Sequence, residues 1–133
     1  MTPPITKYDN VKNPLLLHDR VEAAETVTLA QNTAPYLCLT RAGVYPASAG
    51  AYVAGVTQLE RLSGESTAIA TDGVTIAKVK AAATILVDSP LAGDVDGTVY
   101  VAGPTDYVLG HAIDTSTGST GPAPQYIRVA LRR

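Results

Sequence analysis

A histidine, an aspartate and three hydroxyl residues fall within seven positions near the end of the chain: His111, Asp114, Thr115, Ser116 and Thr117 in "LGHAIDTSTG". These are the residue types of a Ser–His–Asp hydrolase, where histidine takes the proton of a serine nucleophile and a carboxylate orients the histidine. Such a triad needs hydrogen-bond reach between its members. "YVLGHAID" alternates as a strand does, and residues three apart in a strand point to opposite faces, so His111 and Asp114 diverge. No GxSxG elbow or strand-to-helix context frames Ser116. The reading is therefore a strand with His111 on its polar face, and a turn that Asp114 opens by accepting backbone amides. No enzymatic activity is expected.

Other chemistries fare similarly. His18, His111 and the single cysteine, Cys38, show no zinc-site spacing. In "YLCLT", Cys38 alternates with Leu37 and Leu39 and reads as a half-buried strand residue, with Arg41 the one nearby cation that would activate a thiol. Asp88, Asp94 and Asp96 crowd "DSPLAGDVDG" but lack the register and glutamate of a calcium loop, so they read as turn residues. No Walker or GxGxxG motif is present. The net charge of −2 and the scattered basic residues give no pull toward nucleic acid or an anionic membrane. Lys78 and Lys80 read as solvated edge lysines. No cofactor or metal is expected.

The elements that would position these residues are short strands. The 133 residues suit one domain. The core must be built from small aliphatics, because there is no Phe and no Trp and the aromatics are seven Tyr. Charged residues make up 17% against roughly 25% in typical soluble domains, which hints at surface covered by partners. "MTPPITKYDN" has no apolar core of a secretory leader, and no run approaches the ~18 apolar residues of a membrane helix. Residues 1–30 read as an extended arm, proline-punctuated at its start. Within it "LLLHDRVEAAE" fits two or three helical turns, while "ETVTLA" alternates, with Val27 and Leu29 on one face and Thr26 and Thr28 on the other.

From residue 31 to 133 short apolar runs alternate with turn signals. Gly55 within "AYVAGVTQLE" marks a bulge or close backbone approach. Asp72-Gly73 between "TAIA" and "VTIAKVKA" predicts a hairpin, and Asp96-Gly97 predicts another turn. The fold class is all-β: a compact sandwich or barrel-like single domain with an extended N-terminal arm. An internal echo joins "YVAGVTQLERLSGESTAIATDG" to "YVLGHAIDTSTGSTGPAPQYIRVAL", with Gly55 and Gly110 in matching places.

From Tyr36 to Leu131 the chain resembles the small capsid cement, or decoration, proteins of tailed bacteriophages. The resemblance rests on "PASAG" before Gly55-Val56, the "GEST" turn, "DGV" at 72–74, "ATILVDSPL" leading to "DGTVYVA", and the closing "VLGHAIDTSTG…YIRVAL". Pro90 in "PLAGDVDG" departs from that pattern. The resemblance implies a non-enzymatic virion protein, made in the host cytoplasm, that sits on the capsid exterior. There it would bridge neighbouring major capsid proteins as a homotrimer, contacting neither nucleic acid nor membrane. Contact candidates are Pro3, Pro4, Ile5, Tyr8, Leu15, Leu16 and Leu17 in the arm, Pro46 in the loop at 46–50, and Pro122 in the loop at 115–124. Competing readings are another phage structural module, such as a head-fibre base or tail-associated domain, or a carbohydrate-binding or adhesion module, against which the absence of Trp counts.

Overall fold

The computed structural model describes residues 21–117 and 125–131. Ten strands run through them: β1 (Val21–Thr28), β2 (Cys38–Leu39), β3 (Gly55–Thr57), β4 (Ser66–Lys78), β5 (Thr84–Ile85), β6 (Pro90–Gly93), β7 (Val99–Val101), β8 (Gly110–Ala112), β9 (Ser116–Thr117) and β10 (Tyr126–Leu131). No helix occurs among the described residues. Eight strands form one antiparallel sheet in the order β2-β3-β4-β10-β8-β6-β7, with β1 also on β4, and this sheet curls into a nearly closed barrel. β5 and β9 pair separately. The all-β single domain read from the turn spacing is the fold observed.

Two expectations are corrected. Residues 21–25 are strand, not helix: pairing with β4 from Val21 to Thr28 overrides the helical propensity of Glu22, Ala23, Ala24 and Glu25. The stretch read as an arm thus joins the sheet from Val21. Within it Val27 and Leu29 are buried while Thr26 and Thr28 are exposed, as the alternation predicts. The second correction is at Asp72-Gly73, which makes no hairpin. β4 continues through it for 13 residues in all. Gly73 sits at φ +91°, where β1 shifts register between Val21 and Ala24. A left-handed glycine beside a register shift makes a bulge, which bends a strand without reversing it. The two runs do not pair with each other because each has a better partner. Residues 66–73 pair with β1, and residues 73–78 with β10.

The internal echo is written into the hydrogen bonds. Leu39 faces Gly55 as Leu91 faces Gly110, and Cys38 faces Val56 as Pro90 faces His111. Val56 then pairs with Ala70 and His111 with Ala130. Tyr36 and Asp88 hold matching left-handed positions, at φ 69° and 70°. The Tyr36 amide donates to the Thr57 carbonyl at 2.7 Å, the Asp88 amide to the Ala112 carbonyl at 2.8 Å. Residues 40–44 and 94–98 make the same turn, closed by Gly43 and Gly97 at φ 81° and 84°. The Thr33–Arg61 bridge has its counterpart in Ile85–Ser116. Each half is therefore one unit: a long strand, a short strand, a turn, a third strand and a closing strand set between the first and third. In the first half the closing strand is the front of β4, between β1 and β3. In the second it is β10, between the back of β4 and β8. β4 closes one unit and opens the next.

Burial follows this plan. The larger apolar cluster joins Cys38, Val53 and Val56 of the first half to Ile85, Leu91, Val99, Leu109, Ile127 and Val129 of the second. A smaller cluster, Val27, Leu29, Leu39 and Ile69, belongs to the first half alone. Two of the buried threonines, Thr57 and Thr75, are held by hydrogen bonds, while the Thr67 hydroxyl has no partner among the described residues. Thr57 Oγ1 donates to the Ala34 carbonyl at 2.8 Å and accepts the Leu37 amide at 3.0 Å. Thr75 Oγ1 accepts from Gln58 Nε2 at 2.9 Å.

Candidate functional site

The residues with triad chemistry are placed by strand pairing. His111 lies half-buried on β8 between Pro90 and Ala130. Asp114 is gripped by Arg128 of β10, which donates Nε at 2.9 Å, Nη2 at 2.6 Å and its backbone amide at 3.0 Å. One amide that Asp114 accepts comes from across the sheet, because β8 runs beside β10 and brings Arg128 level with Ile113. The Ser116 hydroxyl is buried and donates to Gln125 Oε1. Cys38 is fully buried rather than half-buried, and burial, with the charge of Asp96 adding, pushes its thiol up to about 12. Such a thiol stays protonated and unreactive.

The aspartates of "DSPLAGDVDG" act in turns, as read. Asp94 Oδ1 accepts the Val95 amide at 2.8 Å, and Asp96 Oδ1 accepts the Thr98 amide at 3.1 Å. Lys80 is not a free edge lysine: it pairs with Asp94 at 3.0 Å and lies over the Tyr100 ring. The Val95 amide, with Lys80 assisting against the opposing effect of burial, holds the Asp94 carboxyl below its ordinary range. A carboxylate whose folded pKa is depressed stabilises the fold above its unfolded pKa, near ~3.9, and that contribution is lost as pH falls through the folded pKa. Asp94→Asn is therefore expected to lower the urea midpoint at pH 6, with the gap from the parent protein closing as pH falls below the ordinary carboxylate range.

Of the contact candidates, Pro3, Pro4, Ile5, Tyr8, Leu15, Leu16, Leu17 and Pro122 lie outside the described residues. Pro46 is buried, and the exposed part of its loop is residues 47–49. The larger exposed apolar side chains lie elsewhere, at matching ends of the two halves. Leu59 and Leu62 flank Arg61 of the first-half bridge. Leu86 (65% exposed) and Val87 (53%) follow Ile85 of the second. The reading from sequence missed this surface because Leu59 in "AYVAGVTQLE" and Leu86 and Val87 in "ATILVDS" fall in runs that read as strands, and Leu62 in a turn. The signal that could have found it is Asp88-Ser89-Pro90: the Ser89 amide donates to the Leu86 carbonyl at 3.1 Å, so Leu86 and Val87 lie in a turn after β5.

A second feature is a cleft of ≈ 220 Å³ where the halves meet. Tyr52 and Tyr107 stand three residues before Gly55 and Gly110, so they occupy equivalent places, and their rings meet with centroids 4.8 Å apart at 63°. Ala54 and Leu109, also equivalent, line the cleft with Thr71 and Leu131. Arg41, from the turn after β2, donates Nη1 to the Tyr52 hydroxyl at 2.7 Å. The same guanidinium grips Glu25 of β1 with Nε at 2.9 Å and Nη2 at 2.8 Å. Among the described residues no cluster of three or more His, Cys, Asp or Glu is arranged to hold a metal ion.

Fold and surfaces together define an internally duplicated, barrel-like β module with exposed apolar loop ends. Its fold is similar to that of the "head fiber gp8.5 N base in bacteriophage phi29", with a TM-score of 0.59 over 83% of this chain and 93% of that one, at 16% identity. No family model matches the chain. No curated protein matches it in sequence.

Proposed function

We propose that this protein is a non-enzymatic structural component of a tailed-phage virion, bound to the capsid exterior and bridging neighbouring major capsid proteins. The observation that carries the reading is the shared fold with the phi29 head-fiber base, which spans nearly all of that chain. The low charge and the apolar loop ends at Leu59, Leu62, Leu86 and Val87 support it, since a surface that meets a lattice is apolar at its core. A homotrimer would multiply a modest contact through avidity. The same likeness favours a second reading, a head-fibre base that anchors a projecting fibre without clamping the lattice.

Capsids lacking the protein separate these. Co-sedimentation with a raised capsid melting temperature is expected for the bridging role, and co-sedimentation with no change in melting for a fibre base. Failure to co-sediment would sink both. The double variant Leu86→Asp, Val87→Asp is expected to weaken capsid binding at least tenfold with an unchanged circular dichroism spectrum, because both side chains lie outside the core. Light scattering reads the trimer directly.

A further inference from the structure

We propose that Asp72 is a site of spontaneous backbone modification: its carboxyl closes on the Gly73 amide to a succinimide, which water reopens to isoaspartate. The second Asp-Gly step, Asp96-Gly97, is held away from the same reaction. Neither statement rests on the capsid reading.

The reaction needs a carboxyl turned back on the amide that follows it, a next residue without a side chain in the way, and a peptide free to turn. Asp72 Oδ1 accepts the Gly73 amide at 2.9 Å, so the two reacting groups are already in contact, and glycine leaves the approach open. Asp94 makes the same contact with the Val95 amide, at 2.8 Å, but the branched valine side chain crowds the nitrogen. Asp96 is followed by Gly97, yet its Oδ1 accepts the Thr98 amide at 3.1 Å and the Thr98 hydroxyl at 2.5 Å. The Gly97 amide meanwhile donates to the Asp94 carbonyl at 2.9 Å, so at this step both reacting groups are bound elsewhere.

The place in the sheet supplies the freedom to turn. Among the described residues Gly73 stands in the last pair of two ladders, Val21–Gly73 with β1 and Leu131–Gly73 with β10. β1 shifts register between Val21 and Ala24 and Gly73 is left-handed, so the ladder is irregular where the peptide must rotate. Asp72 and Gly73 are half-buried, within reach of water. Opening a short, irregular stretch costs far less than global unfolding. In the opened segment the peptide turns until the nitrogen, rather than its hydrogen, meets Cγ. The bond from Gly73 N to Asp72 Cγ forms, and the amide proton leaves with the carboxyl's hydroxyl as one water. Water then adds at either ring carbonyl. Addition at Cγ restores aspartate. Addition at the main-chain carbonyl leaves the chain running through Cγ, one carbon longer, within the strand that both halves share.

The whole protein is held for weeks in mildly acidic buffer made with heavy-oxygen water, then digested in ordinary water and read by mass spectrometry. Trypsin releases residues 62–78, in which Asp72 is the single aspartate. That peptide is expected to gain one heavy oxygen at each ring opening and to split into two chromatographic forms, one of them resistant to a protease that cuts before aspartate. Asp96 is expected to label at least about tenfold more slowly than Asp72. In urea, where the carboxyls and amides of both steps are free, the two are expected to label at similar rates. Asp72→Asn is expected to reach the same pair of acidic products with loss of ammonia, faster than the parent isomerises. Equal labelling of Asp72 and Asp96 in the folded protein would overturn the proposal. So would an Asp72 that labels in urea but not when folded, or a D72N protein that keeps its amide.

Discussion

Gly110→Ala is expected to destabilise the protein by about 3 kcal/mol, and Gly55→Ala by a similar amount, the upper end of what overpacking costs. A β-carbon on Gly110 would stand 2.3 Å from the Ala130 carbonyl oxygen and 3.0 Å from Leu131 Cα. On Gly55 it would stand 2.4 Å from the Ala70 carbonyl oxygen. Both obstacles are backbone atoms of closing strands, β10 and β4, each paired on both edges. They cannot rotate aside as a side chain would, so the sheet itself must shift. Gly64→Ala is the control. Gly64 has φ +90° but nothing within 4 Å of a new β-carbon, so only left-handed strain of about 1 kcal/mol applies. Urea unfolding followed by circular dichroism ranks the three. Equal losses at positions 64 and 110 would remove the steric account.

This pair of glycines was legible in the amino-acid sequence. An isolated glycine after an apolar pair, twice and 55 residues apart, marks close strand approach, and the structure places a carbonyl at both. The turns at Gly64 and Gly97 were equally local and equally readable. What was not legible is β4. Asp72-Gly73 carries a strong hairpin signal, and only the positions of β1 and β10, distant in sequence, decide that the strand continues. Register against remote strands leaves no local trace. The same limit applied to the cleft. Tyr52 and Tyr107 could be matched by their spacing to the two glycines, but their contact depends on how the halves pack around the shared strand. The candidates drawn from the arm all lie outside the described residues. Pro46 was chosen for its proline-glycine loop, yet it faces inward, because loop composition reports backbone conformation and not which side chain is covered.

The shared strand has an energetic consequence that a matched pair of leucines exposes. Leu39 and Leu91 occupy equivalent positions opposite Gly55 and Gly110, and both are fully buried. Their neighbours differ. Leu39 lies in the small first-half cluster, bordered by half-buried Tyr45 and Ala54, which can move toward a void. Leu91 lies in the cluster that spans both halves, where twelve buried residues pack together and only Ala83 and Leu131 at its border are partly exposed. Cavity costs grow with the volume that cannot collapse, so Leu91→Ala is expected to cost about 4 kcal/mol and Leu39→Ala about 2.5 kcal/mol. Urea midpoints at a common slope measure the difference, and equal values would mean that the two clusters relax alike. Because Cys38, Val53 and Val56 pack among second-half residues and β4 serves both units, neither half has a complete sheet or core alone. Both variants are therefore expected to unfold in a single transition, with tyrosine fluorescence and circular dichroism coinciding. A first half that melted separately in Leu91→Ala would show that its small cluster holds β1, β2 and β3 together without the second half.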